Sequence, residues 1–82
     1  MLLELEKGKK TVGRKQSQRA ILEGKAEKVF LASDADDRIR QETMNLCSEH
    51  GVPLISVETM ECLGKACGIQ VGAAVAALLR VQ

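Results

Sequence analysis

The feature that most constrains the fold is a strand, helix, strand pattern between residues 28 and 57. The run KVFLA at 28–32 is short and nearly continuously apolar, which is typical of a strand covered on both faces. A helix is predicted from the following SDADD segment to about His50, because Gly51 ends it and Pro53 forbids its continuation. LISV at 54–57 then reads as the next strand. A unit of this length predicts a right-handed βαβ crossover, so the chain is expected to be an α/β domain.

The rest of the chain predicts shorter elements around this unit. They are a short N-terminal helix, a strand near Lys10 to Val12, a helix from Arg14 to Glu23 closed by Gly24, and a helix from Thr59 to near Gly68. In the Arg14 helix, Ser17, Ala20 and Ile21 share one face. The tail VGAAVAALLRVQ is ambiguous, because its alanines favour a helix while its place after a glycine-bounded loop fits a last strand.

Length and composition indicate one small domain over residues 1–82, without repeats or linkers. The apolar fraction is 45%, but Phe30 is the only aromatic residue. A platform of aromatic rings for stacking single-stranded bases is therefore nearly excluded. The three cysteines and the single histidine have no zinc-ligand spacing, which favours buried thiols in a reducing cytosol. No stretch has the length of a signal peptide core or a membrane span, so we expect a cytoplasmic protein without membrane contact.

Charge is distributed unevenly along the chain, although the net charge is only +1. Residues 1–28 carry +4, residues 29–62 carry −5 and residues 63–82 carry +2. Six basic residues and no acidic one lie between Lys7 and Arg19. The run VGRKQSQRAI places several of these cations where a helix begins, although the helix dipole favours anions there. Such a block is either a solvated arm or a contact for a polyanion.

The acidic cluster SDADD suggests two other interpretations. Asp34, Asp36 and Asp37 follow a strand, where α/β folds commonly place magnesium or phosphotransfer sites. They can instead cap the next helix and interact with its dipole, and no general base or phosphate-binding glycine loop accompanies them. His50, at a helix end, is interpreted as a C-terminal cap or a partly buried side chain rather than a catalyst. We therefore expect no enzyme, no metal site and no cofactor.

The segment LGKACGIQVGAA at 63–74 predicts a tight turn between a helix and a strand, with Gly68 at positive φ. It lacks the strand, turn and helix context of a dinucleotide-binding loop. Ile69 and Val71 are expected to be exposed apolar side chains in this turn, which hints at a contact surface.

Together, and in this order, VGRKQSQRAI, LASDADD and LGKACGIQVGAA resemble the kink-turn RNA-binding ribosomal proteins of the L7Ae and L30e type. The resemblance covers about residues 8–80 and is strongest to the short bacterial homologues. It implies a three-layer α/β/α sandwich with a mixed four-stranded sheet, which makes the C-terminal segment a strand. It also implies binding to the kink-turn, an RNA helix bent at a bulge beside tandem sheared G·A pairs. The kink opens a groove that A-form RNA otherwise keeps too deep and narrow to read.

The resemblance also implies particular site residues. The family motif Gly-x-Asn-Glu-x-x-Lys stands here as residues 13–19, with Lys15 and Gln16 in place of Asn and Glu. The implied RNA-binding residues are Gly13, Arg14, Lys15, Gln16, Arg19, Asp36, Gly68, Ile69, Gln70, Val71 and Gly72. In relatives, an acidic residue at the position of Asp36 lies near the flipped-out bulge nucleotide, and residues matching 69–71 pack on that nucleotide. Asp34 is expected to cap the following helix, and Met60 stands where some relatives have a basic residue.

The resulting hypothesis is a non-enzymatic, monomeric bacterial module that binds and stabilises kink-turns in structured, ribosome-related RNA. The side chains of Lys15 and Arg19 can donate hydrogen bonds to guanine O6 and N7, which are acceptors. The alternative is a protein-interaction module that docks on a ribosomal or other protein through the loop at 68–72. A metal-dependent enzyme centred on the aspartates is the weakest alternative, because catalytic partners are missing from the sequence.

Overall fold

The computed structural model describes residues 3–81, with side chains from Leu5 onward. In chain order the elements are α1 (Leu3–Lys7), β1 (Lys10–Val12), α2 (Arg14–Leu22), β2 (Ala26–Ala32), α3 (Asp37–His50), β3 (Leu54–Val57), α4 (Met60–Ala66) and β4 (Val75–Leu79). The predicted βαβ unit is therefore confirmed as β2, α3 and β3. The last segment is a strand, as the resemblance implied and against the helix propensity of its alanines.

The strands form a mixed four-stranded sheet in the order β1-β4-β2-β3. Strands β2 and β3 are parallel, with Phe30 opposite Ile55. Strand β4 lies between β1 and β2 and is antiparallel to both, so that Ala76 pairs with Val12 on one side and Phe30 on the other. Pairing on both sides and burial on both faces explain why an alanine-rich segment is a strand here.

Helices cover both faces of the sheet, which confirms the three-layer sandwich. On one face, Leu5 of α1 and Leu63 of α4 pack with Phe30, and all three side chains are fully buried. On the other face, Ile21 of α2 and Cys47 of α3 pack against Val29. Helices on both faces pack closely against the apolar sheet. This packing fixes the positions of the helix ends relative to one another.

One end of the sheet gathers the segments that the sequence singled out. Strands β1, β2 and β3 end there, and β4 begins there. Backbone hydrogen bonds join these segments: the Gly13 amide donates to the Val75 carbonyl (2.9 Å), and the Ala32 amide donates to the Ala74 carbonyl (2.9 Å). The start of α2, the aspartate segment after β2 and the loop before β4 therefore lie side by side. We call this end of the molecule the upper end.

Asp36 and Asp37 lie at the start of α3, as the helix-capping interpretation predicted, but Asp34 has a different role from the expected one. Asp36, not Asp34, is the N-cap of α3: its carboxylate accepts from the Arg38 amide at 2.8 Å. The prediction for Asp34 was wrong because α3 begins at Asp37, which leaves Asp34 too far upstream to cap it. Its Oδ1 instead accepts from the Met60 amide, also at 2.8 Å, and so links the segment after β2 to the start of α4.

His50 lies in the last turn of α3 and is exposed. Its position fits the expected C-terminal placement, but its side chain does not continue the buried face formed by Thr43 and Cys47. No helix within residues 3–81 combines the length and the apolar composition needed to cross a membrane.

Candidate nucleic-acid interface

Helix α2 begins without a capping side chain. Its N-cap is Gly13, at φ 103° and ψ 158°, a conformation that strongly favours glycine. The first turn contains no acidic residue, and no side chain forms a cap hydrogen bond. The amides of the first helical turn have no intrahelical acceptors, and the helix dipole adds positive potential there. The start of α2 is therefore a donor-rich site suited to an anion.

The charged side chains of α2 fall into two groups. Arg14 donates to Glu42 of α3 at 3.2 Å, and Gln18 donates to the same carboxylate oxygen at 3.4 Å. Lys15 and Arg19 are exposed and form no ion pair with any residue that the structure describes. Two uncompensated cations thus lie one helical turn apart on the exposed side of α2.

The opposite side of α2 is held firmly against the sheet. Ser17 is fully buried, and its hydroxyl lies 3.1 Å from that of Thr11 on β1. Ala20 and Ile21 are also buried, as their spacing predicted. This packing fixes the rotation of the helix about its axis, and so keeps Lys15 and Arg19 directed outward.

The loop at 68–72 lies on α4. The Ile69 amide donates to the Gly64 carbonyl and the Ala73 amide donates to the Met60 carbonyl, both at 3.0 Å. Gly64 is buried directly under the loop, where a Cβ atom would collide with the Val71 carbonyl oxygen. The loop backbone is therefore held at both of its ends and pressed against α4 in the middle.

Only one of the two apolar side chains expected to be exposed in this loop is largely exposed. Val71 is 70% exposed, whereas Ile69 is partly buried and packs against the core on the α4 side. The expectation for Ile69 was wrong because the loop turns back onto α4. Gly68 has φ 80°, as predicted for this turn. Gln70 and Gly72 are exposed beside Val71, so the outward surface of the loop is partly polar and partly apolar.

The acidic cluster is explained by hydrogen bonds within the protein. Asp34 binds the start of α4, Asp36 caps α3, and Asp37 forms an ion pair with Arg40 at 2.8 Å. No group of three potential metal ligands occurs among the described residues. The cluster thus sets the geometry of the upper end, and the carboxylate of Asp36 is exposed at its margin.

Two of the three cysteines are buried, as expected from the sequence, whereas Cys62 is exposed and the expectation for it was wrong. Cys47 and Cys67 are buried, and burial raises the pKa of both thiols, an effect that the charge of Lys10 partly opposes at Cys67. Raised pKa values keep the thiols protonated and unreactive at neutral pH.

The upper end thus brings together the start of α2, Asp36 and the loop at 68–72. Within the residue set expected from the sequence, Arg14 is turned toward α3 and Ile69 toward the core. Sequence reasoning missed two residues that position this surface, Asp34 as a link to α4 and Gly64 as the support of the loop. Asp34 and Gly64 were missed because their partners are distant in sequence. A glycine inside a predicted helix was the one sequence feature that could have indicated a close contact at Gly64.

Comparison with known proteins assigns the chain to a family. The model of the Ribosomal protein L7Ae/L30e/S12e/Gadd45 family matches residues 2–82. An RNA-binding protein of Geobacillus thermodenitrificans is 50% identical over 76 residues, and the RNA-binding protein YbxF of Geobacillus stearothermophilus is 47% identical. Each of these matches covers 93% of both chains. The chain belongs to the L7Ae/L30e/S12e/Gadd45 family, which confirms the resemblance.

The fold has a close structural counterpart as well. The Giardia lamblia 15.5kD RNA binding protein superimposes with a TM-score of 0.91 and 28% identity. The match covers 99% of this chain and 72% of that one.

Proposed function

We propose that the chain is a non-enzymatic RNA-binding protein that recognises kink-turns and stabilises their bent form. The observation that carries this proposal is that α2 begins uncapped at the upper end, next to the segment that follows the loop at 68–72, and presents Lys15 in its first turn and Arg19 in its last turn. RNA binding by named relatives supports the class of ligand. A bent RNA offers both a phosphate backbone for the cations and a displaced base for the apolar loop.

On α2, the proposed contacts follow from donor geometry. Gly13 lets the RNA backbone approach closely, and the free amides of the first turn donate to phosphate oxygens. Lys15 and Arg19 donate to the O6 and N7 atoms of the guanines in the G·A pairs, and the exposed amide of Gln16 contacts a base edge. Arg14 contacts a phosphate after exchanging its ion pair with Glu42, which is a weak constraint because both side chains are more than a third exposed.

In the loop, Val71 supplies an apolar surface for the flipped-out nucleotide. Ile69 holds the loop through its inward side chain, and Gly68, Gln70 and Gly72 present backbone and amide groups to the RNA. Asp36 lies at the edge of this surface, with one carboxylate oxygen occupied by the α3 cap. Met60 takes no part in phosphate binding, because it is partly buried under Gly72.

The cellular setting is proposed on the same basis. We infer a monomeric, cytoplasmic protein whose RNA is ribosome-related, in keeping with the description of its family.

Binding of a kink-turn should be compared with binding of the same RNA after replacement of its tandem G·A pairs by Watson–Crick pairs. We expect the kink-turn to bind more tightly by at least about tenfold, and its affinity to fall with salt at a log–log slope of roughly −2 to −4, for about three to five phosphates. Equal affinity for the two RNAs would refute kink-turn recognition.

Two variants test the assignment of the site. Lys15→Gln and Arg19→Gln should each weaken kink-turn binding by about 1–3 kcal/mol without lowering stability, because both side chains are exposed. Lys65→Gln is the matched control, since it removes one exposed cation from α4. Unchanged affinity in both α2 variants would place the RNA elsewhere on the protein.

A second function is favoured by the exposure of Val71, since an apolar side chain on a rigid loop also suits a protein partner. In that case Val71→Ser would abolish a pull-down that withstands nuclease treatment and would leave RNA affinity unchanged.

A further inference from the structure

A second basic surface lies at the opposite end of the sheet from the upper end. Here a cleft of about 540 Å³ opens between the start of β1, the start of β2 and the end of β4. Among the residues that the structure describes, its lining contains four cations and no carboxylate side chain; these residues are Lys7, Gly8, Lys9, Gly24, Lys25, Leu79, Arg80 and Val81. We call it the basal cleft.

The fold brings these cations together from three separate segments. The Leu79 amide donates to the Lys9 carbonyl (2.9 Å), and the Arg80 amide donates to the Lys25 carbonyl (2.8 Å). Lys7 is held nearby because α1 is anchored by the fully buried Leu5. The positions of the cations are therefore fixed by backbone bonds and core packing and do not depend on their side chains.

Little within the protein compensates this charge. Lys25 forms an ion pair with Glu23 at 3.3 Å, with both side chains about half exposed. Among the described side chains, those of residues 5–81, Lys7, Lys9 and Arg80 have no carboxylate partner. Grouping like charges disfavours the compact state. A polyanion that lies across the cleft would remove this repulsion.

The basal cleft is continuous with the proposed kink-turn surface. A smaller cleft of about 280 Å³ shares Lys25 and Leu79 with it and is also lined by Gln16 and Arg19 of α2 and by Glu23, whose carboxylate is paired with Lys25. The distance between the upper end and the basal cleft is short, because the five residues of β4, which runs between them, span about 13 Å from Val75 to Leu79. A track of cations thus runs from Arg19, past the ion pair of Lys25 with Glu23, to Lys9 and Arg80.

We propose that one of the two RNA stems flanking the kink-turn lies along this track, with its backbone phosphates in the basal cleft. This inference rests on the proposed function, since it extends the same RNA beyond the kink. An RNA helix fits the track because it carries a regular row of phosphates and is contacted mainly through its backbone. The continuity with Arg19 favours this partner over an acidic protein segment.

The test uses kink-turn RNAs that differ only in stem length. Starting from stems of about four base pairs, each stem is extended separately to about ten, and the affinity of the full-length protein is measured in about 50 mM and about 200 mM salt. We expect extension of one stem, and not of the other, to raise the affinity about tenfold and to steepen the log–log salt slope by about 1.5 to 2.

The variant Lys9→Gln/Arg80→Gln should lose this gain and bind the short RNA like the wild type. Its backbone hydrogen bonds do not involve the replaced groups, so its urea midpoint should stay unchanged or rise. Arg19→Gln is the contrasting control, because it should weaken binding of short and long RNAs equally. Lys65→Gln should retain the gain.

Two results would overturn the inference while leaving kink-turn recognition intact: equal gains from both stems, or a gain that survives in the double variant. If the short kink-turn instead binds no better than its counterpart without G·A pairs, the proposed function itself fails. A nuclease-resistant protein complex that is lost in the double variant, with no effect of stem length, would assign the cleft to an acidic protein.

Discussion

Replacing Gly64 by alanine tests whether this glycine is needed for the position of the loop at 68–72. The substitution should have opposite effects on the intrinsic stability of α4 and on the packing of the loop. In the middle of a helix, Gly→Ala ordinarily stabilises by about 1 kcal/mol. At Gly64 the new Cβ would collide with the Val71 carbonyl oxygen and lie 3.2 Å from the Gly72 Cα atom. Both are backbone atoms, so the loop must move as a unit.

Overpacking of this kind costs about 1–3 kcal/mol, which leaves a net change between no effect and a loss of about 2 kcal/mol. Displacing the loop also weakens the 3.0 Å hydrogen bond from Ile69 to the Gly64 carbonyl and moves Val71 away from its position. We therefore expect Gly64→Ala to bind a kink-turn at least about tenfold more weakly, which corresponds to about 1.4 kcal/mol.

Urea unfolding and titration of labelled RNA measure the two effects separately. Gly51→Ala is a suitable control, because Gly51 ends α3 at φ 66° with open space around it, about 20 Å of helix away from the upper end. It should lower stability by about 1–2 kcal/mol and leave affinity unchanged. A Gly64→Ala protein that gains about 1 kcal/mol of stability and binds normally would refute the packing argument.

Two further predictions concern single residues. Asp36→Ala should cost about 1 kcal/mol in urea unfolding through loss of the α3 cap, whereas Asp36→Asn keeps a capping oxygen and should cost little; equal losses would contradict the cap. In the native protein at about pH 8, iodoacetamide should label the exposed Cys62 and spare the buried Cys47 and Cys67, whose pKa values are raised by burial. Folding favours the protonated forms of these two thiols. The free energy of unfolding should therefore decrease as the pH rises above the ordinary thiol pKa. Mass spectrometry that finds Cys47 labelled as fast as Cys62 would contradict the burial.

Much of the fold follows from local sequence signals. The βαβ unit is marked by an apolar run, a glycine and proline stop and a second apolar run, and these signals agree with one another. The last strand is different, because the alanines at 73–77 favour a helix when taken alone. The strand forms because β4 is paired with β1 and β2 and is covered by both helical layers. This is a tertiary effect, which the family resemblance predicted and the helix propensity of alanine did not.

The candidate site was less accessible from the sequence, since much of its geometry depends on partners far apart in the chain. Three aspartates within four positions offer several possible caps, and the choice of Asp36 depends on where α3 begins. The bond from Asp34 to Met60 spans 26 positions, and the pair Arg14–Glu42 spans 28. The basal cleft is assembled from three segments and has no counterpart in any local motif.

Backbone amide NMR can map where the RNA contacts the protein. A labelled sample of the full chain is titrated with a short kink-turn RNA, and shifts are followed for every assigned amide. We predict the largest changes at residues 13–19 and 68–72, with small changes along the second half of α3. Changes concentrated on α3 and β3, with residues 13–19 and 68–72 unaffected, would contradict RNA binding by the start of α2 and the loop.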